Sequence, residues 1–236
     1  MVPLPYLGVW RRDWIDRYRE QGAPKRELQP AIWFQSRHFH VDLRVDPKLT
    51  GVAASTRPDV FAQTQIAFAG ATEVIARAER EICQWYPRIA FPHLTGEVDA
   101  GFMHFKSATH LMEQGLDGRY EESWQRINDE HDAIHCLRFI SISEPKRECF
   151  LMLCGPYFAL GSNYPGNEYP HLPVYAWGER RDSAWIVRES LTPWNAGKSI
   201  EFDHILIEAA ITPASSTVDW SLPLMADSRW RLLEID

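Results

Sequence analysis

The residues best suited to chemistry stand on one short stretch, His38-Phe39-His40-Val41-Asp42-Leu43-Arg44-Val45, where polar and apolar side chains alternate. Alternate side chains on a strand share a face. His38, His40, Asp42 and Arg44 therefore form one row, and Phe39, Val41, Leu43 and Val45 the other. A carboxylate and a guanidinium neighbouring on one row can pair, or can orient a polar ligand. Trp33 and Gln35 share a face of the preceding segment and can join them, as can Arg12, on the face of Trp10 and Trp14. Antiparallel sheets commonly turn one face to water. The preferred reading puts the apolar row inside and leaves the polar row solvated; the alternative lines a cavity with the polar row.

His38-x-His40 has the spacing of a metal-binding pair on a strand, with Asp42, Asp46 and His104 as further ligands to consider. A metal centre needs three or four convergent ligands and an oriented second shell, so no metal is expected. His131 and His135 have helical zinc spacing, but the polar run 128–132 reads as a turn, and Glu130 precedes the pair instead of following His131. No nucleophile elbow, phosphate loop or dinucleotide fingerprint occurs. Glu121 and Glu122 are adjacent and so face opposite ways on a strand. Glu73 ends a segment whose one face carries Ala67, Ala69 and Ala71. That small row admits either a closely packed neighbour or a cavity with Glu73 as its polar anchor.

The elements that must position these residues are strands. Period-two or β-branched and aromatic segments predict strands over 8–15, 31–35, 38–45, 65–75, 82–91, 100–106, 120–127, 134–143, 149–160, 174–178, 184–191, 201–211, 221–225 and 229–235. Turn dipeptides separate many of them, and helices are scarce; 14–21 and 76–81 are short helical turns or hairpin tips. Many short strands with few helices indicate an antiparallel sandwich or barrel. One barrel would use little more than half of 236 residues. Trp10-Arg11-Arg12 returns as Trp124-Gln125-Arg126 at nearly half the length, as in a duplicated barrel. The ten tryptophans read mainly as core, with Trp33, Trp85 and Trp177 also suited to a pocket wall.

Composition bounds the function classes. Hydrophobic residues are 45% and charged residues 24%, the profile of an ordinary globular chain. A net charge of −7 argues against a nucleic-acid binder and an anionic membrane surface. There is no secretory signal pattern and no apolar run long enough for a membrane helix. The four cysteines show no CxxC spacing and read as buried, reduced thiols in a cytoplasmic protein.

Gly8-Val9-Trp10, at the start of the first strand, resembles the GxW of lipocalins and their calycin relatives. The wider set includes Val41-Asp42-Leu43-Arg44, Phe68-Ala69-Gly70-Ala71-Thr72, Cys83-Gln84-Trp85, Asp99-Ala100-Gly101-Phe102-Met103 and Tyr120-Glu121-Glu122-Ser123-Trp124. Together they resemble a group of uncharacterised microbial proteins regarded as two lipocalin-like barrels in tandem. The resemblance covers 6–126 well. It implies an all-β chain with one antiparallel barrel over 1–118 and another over 119–236. It also implies an arginine packed across the tryptophan that closes each barrel: Arg119 or Arg126 in the first barrel, Arg229 or Arg231 in the second. The expected function is binding of a small, partly apolar molecule in the first barrel, lined by Trp33, Gln35, Asp42, Arg44 and Glu73, with no cofactor. The alternatives are a protein–protein interaction module with filled barrels and an apolar patch over 157–169, or a metal-dependent or acid/base enzyme using His38, His40 and Asp42.

Overall fold

The computed structural model describes residues 1–18, 23–46, 65–77, 80–92, 98–163, 173–202, 219–221, 224 and 229–236. They form two antiparallel sheets and no α-helix. The first sheet comprises β1 (Gly8–Arg17), β2 (Lys25–Glu27), β3 (Ile32–Gln35), β4 (Phe39–Arg44), β5 (Ile66–Arg77), β6 (Arg80–Phe91), β7 (Asp99–Ser107), β8 (His110–Gly115) and β9 (Tyr120–Arg126). β2 pairs with the Ile15–Arg17 half of β1 and β3 with its Gly8–Arg11 half, so the two fill one strand position. β9 returns to pair with β1, which closes an eight-strand barrel. β9 thus belongs to the first sheet, although it begins beyond the boundary expected at residue 118.

The closing seam explains the recurrent Trp-x-Arg. Trp10 faces Arg126 across the seam and Arg12 faces Trp124. The Arg126 guanidinium lies 4.8 Å from the centre of the Trp10 ring, and that of Arg12 lies 5.6 Å from Trp124. Both copies of the motif therefore sit in one barrel, on neighbouring antiparallel strands, and their likeness marks its closure and not a duplication. Of the two arginines open for the first barrel, Arg126 is the one over the tryptophan; Arg119 is exposed and pairs with Asp117. Trp10 donates its indole N–H to the Tyr6 carbonyl at 2.8 Å. This ties the short 3-10 turn Leu4–Tyr6 under the barrel, where Val2 and Tyr6 plug the Gly8 end.

The second sheet has the order β15-β14-β13-β12-β11-β10-β17-β16. Its strands are β10 (Ile134–Ser141), β11 (Glu148–Cys154), β12 (Tyr157–Ser162), β13 (Val174–Arg181), β14 (Ala184–Ser190), β15 (Ser199–Ile200), β16 (Asp219–Ser221) and β17 (Arg229–Ile235). Here the guanidinium over a tryptophan is that of Arg147, above Trp230, while Arg229 and Arg231 are exposed. Residues 203–211 of the strand expected over 201–211, and 222, 223 and 225 of that over 221–225, lie outside the described residues.

Three cores result. One fills the barrel, with Trp10, Trp33, Phe68, Trp85 and Trp124. The second lies between barrel and sheet, where Val41, Leu43, Ala67 and Ala69 meet Phe150, Met152, Ala159 and Tyr175. The third covers the far face of the second sheet, around Phe139, Leu151, Phe158, Trp185 and Trp230. The small residues of β5 let the sheets approach. A Cβ on Gly161 would sit 3.5 Å from that of Ala69 and 3.0 Å from the Tyr175 ring. Ala69→Leu is expected to overpack this layer and lower stability by about 1–3 kcal/mol, measured as a shifted urea midpoint.

Candidate functional site

β4 is buried on both faces, which overturns the expectation that its polar row is solvated. Its apolar row packs on the second sheet. That leaves the polar row to point into the barrel, with His40 0% and Asp42 3% exposed. Cross-strand pairing sets Asp42 between Trp33 and Phe68, and His40 between Gln35 and Gly70. Trp33, Gln35, Asp42 and Arg44 therefore come together as the sequence predicts. Glu73 does not. It is exposed and accepts a long hydrogen bond from the Tyr86 hydroxyl at 3.4 Å. The row it shares with Ala67 and Ala69 is the outer face of β5, where close packing and not a cavity uses the small residues. Thr72, one residue earlier, is the inward one.

Beyond the tryptophans, at the Arg17 end, the interior becomes ionic. Arg12 pairs with Glu122 at 2.7 Å and holds the Gln29 carbonyl with two N–H groups at 3.1 Å. Arg44 pairs with Asp42 at 2.8 Å and reaches Asp99 at 3.5 Å. Arg44 ends β4 and Asp99 begins β7, and their side chains are 19% and 33% exposed, so the cluster meets solvent there. Glu113 accepts from the Tyr120 hydroxyl at 2.9 Å and the Trp124 indole at 3.2 Å. A Cβ on Gly101 would lie 2.6 Å from Cγ of Glu113, so glycine there makes the room this side chain occupies.

Burial and crowding set the protonation states. Burial, then the neighbouring carboxylates Glu122 and Asp99, push the Glu113 carboxyl well above its ordinary range. Burial also raises Asp42 against the pull of Arg44 and lowers Arg12 against the pull of Glu122. Burial opposes the Arg44 charge too, but Asp42, Glu122 and Asp99 outweigh it and hold Arg44 well above its usual value. Glu113, Glu122, Asp99 and Arg12 escaped assignment from sequence as one group, because a closed barrel unites strands far apart in the chain. The inward period of β7, β8 and β9 would have found three of them once a polar interior was allowed.

At the other end of the polar row, hydrogen bonds fix every proton. Gln35 Nε2 donates to the carbonyls of Ser36 and Phe39 at 2.8 and 3.0 Å, which can only accept. Its Oε1 accepts from the Trp33 indole at 3.1 Å and from the Thr72 hydroxyl at 2.9 Å. Thr72 has then spent its proton and must accept from His40 Nδ1 at 2.9 Å. His40 Nε2 is left as a bare lone pair, buried and without a donor. Burial lowers the His40 pKa to about 3, so the ring is neutral.

His38 lies in the turn before β4, not on the strand. It is exposed and pairs with Asp236 at 2.9 Å. The geometry thus separates the two imidazoles that the spacing suggested as a pair. His104 and His131 are exposed on outer surfaces. Among the described residues no group of three or more His, Cys, Asp and Glu is arranged to hold a metal. Trp177 belongs to β13 and donates to Glu189 at 2.9 Å, outside the barrel. All four cysteines are free and buried, and burial raises each thiol pKa, that of Cys154 to about 12. Of the apolar patch expected over 157–169, residues 157–162 form β12 and pack on both cores, while 164–169 lie outside the described residues.

No protein-family model and no curated protein matches this chain. Its fold is similar to that of a solved structure, the uncharacterised protein YLR301w of Saccharomyces cerevisiae. The TM-score is 0.61 at 13% sequence identity, over 97% of this chain and 98% of the other.

The neutral His40 gives a signed prediction. Its folded pKa lies below the ordinary 6.5. The unfolded chain therefore takes up a proton that the folded one refuses between pH 6.5 and about 3. The His40 contribution is complete above that window and is lost as pH falls through it. Relative to His40→Gln, the wild type is expected to lose up to about 1.4 kcal/mol per pH unit there, read from urea midpoints at several pH values. His135, also lowered by burial, acts equally in both proteins.

Proposed function

We propose that the protein is a binding module whose first barrel holds a small, partly apolar molecule against Trp33, Gln35, Asp42 and Arg44. One observation carries the reading: ionised and polar groups are buried inside a barrel where apolar side chains would be cheaper. Burying a charge is costly unless it is paired, and replacing buried ion pairs with apolar residues is often neutral or stabilising. A network kept there, with tryptophan rings on one side and solvent at Arg44 and Asp99 on the other, fits a ligand-binding mouth.

The Arg126 guanidinium over Trp10 supports likeness to the calycin barrels, and the second eight-stranded sheet is in keeping with a tandem arrangement. The reduced thiols support a cytoplasmic setting. The enzyme alternative loses its premise with the separation of His38 from His40.

Native mass spectrometry of untagged protein, purified from its own host, tests the reading. The expected result is a mass excess lost on denaturation, and lost also in Arg44→Met. A bare native mass, equal to the denatured one, would sink it.

A further inference from the structure

We infer that the molecule held in the first barrel is an organic amine, bound as its ammonium form at the charged end of the interior. The inference rests on the binding reading above and adds the chemical class of the ligand.

Three observations point the same way. The first is the nature of the buried atoms left without partners. Glu122 is 3% exposed, and its Oε1 receives Arg12 while its Oε2 receives nothing. His40 Nε2, one inward position from Asp42 on the Gly8 side, is a bare lone pair by the proton accounting above. Both are acceptors, and a buried acceptor without a donor costs free energy. They ask for a group that brings N–H or O–H donors. Arg126 Nε, a donor without a partner, lies over Trp10 towards the plugged Gly8 end, and Gln65, just before Ile66 opposite Arg44, leaves both a donor and an acceptor unpartnered.

The second is charge. Asp42, Asp99, Glu113 and Glu122 face Arg12 and Arg44. Four carboxyl groups gather around two guanidiniums, so a cation suits the cluster. An anionic ligand would add to the excess.

The third is the wall. Trp33 contacts Trp85 and Trp124 edge to face, with centroids 5.5 and 5.9 Å apart. Such a cluster offers ring faces to an ammonium and apolar surface to the body behind it. The donor set does not converge as a metal site would, whereas an ammonium needs only hydrogen-bond acceptors and negative charge.

The test uses three probes with one ring and one apolar body but different heads: 2-phenylethylamine, 2-phenylethanol and 3-phenylpropionate. Each is titrated into the untagged full chain by calorimetry, with tryptophan emission recorded in parallel. The amine is expected to bind at least about tenfold more tightly than the alcohol, and the carboxylate not at all. Glu122→Gln should remove that preference while leaving the alcohol unchanged. Because that variant also breaks the pair with Arg12, Asp99→Asn, at the partly exposed edge of the cluster, is the second probe. It should weaken the amine several-fold at an unchanged melting temperature. If the alcohol or the carboxylate matches the amine while quenching tryptophan emission, the amine inference is overturned and barrel binding stands. If no probe produces heat or quenching, the inference is overturned as well, and the retained-mass measurement then judges the barrel reading on its own.

Discussion

Two tryptophan–arginine contacts, laid in opposite senses across β1 and β9, hold the barrel shut, and everything inside depends on that closure. A sheet whose first and last strands failed to meet would leave two long edges with unpaired amides. It would also open the ionic end to water, where Arg12, Glu122 and Glu113 would be ordinary surface charges. The register that sets Trp10 against Arg126 sets Arg12 against Trp124, and so carries Arg12 to Glu122. Closing the fold and assembling the charged cluster are one event.

The cluster survives because its charges answer one another. Each guanidinium has a carboxylate within 2.8 Å, and Glu113 is held by the Tyr120 hydroxyl and the Trp124 indole while burial and its acidic neighbours raise its pKa. The Gln35–Thr72–His40 chain solves the same problem without charge, by assigning each hydrogen to one acceptor until a single lone pair remains. Both devices place polar atoms beside tryptophan rings at the cost of exact geometry. A loosely packed barrel could not hold either.

Much of this was legible in the residues. Period-two alternation named the strands, and GxW placed the barrel's start. Asp42, Arg44, Trp33 and Gln35 were grouped because each pair shares a strand face. Where the structure departs from the pattern, the causes are physical. The polar row of β4 looked solvated because alternation shows that two faces differ, not which is inside, and here both are covered. Glu73 was misplaced because the small residues beside it serve the packing of the second sheet. His38 was paired with His40 because spacing says nothing about where a turn ends and a strand begins. The recurrence of Trp-x-Arg looked like ancestry and was geometry. Glu113 and Glu122 face each other across β8 and β9, and Asp99 begins the neighbouring β7; their meeting with Arg12 and Arg44, on β1 and β4, follows only from closure, a long-range fact that local pattern does not encode.

β4 is a partition one residue thick. Its odd-numbered side chains belong to the layer shared with the second sheet and its even-numbered ones to the barrel lumen, with only a backbone between. Any displacement of Asp42 or Arg44 is thereby a displacement of Val41 and Leu43. The second sheet rests against a diaphragm whose other side is the barrel's own core.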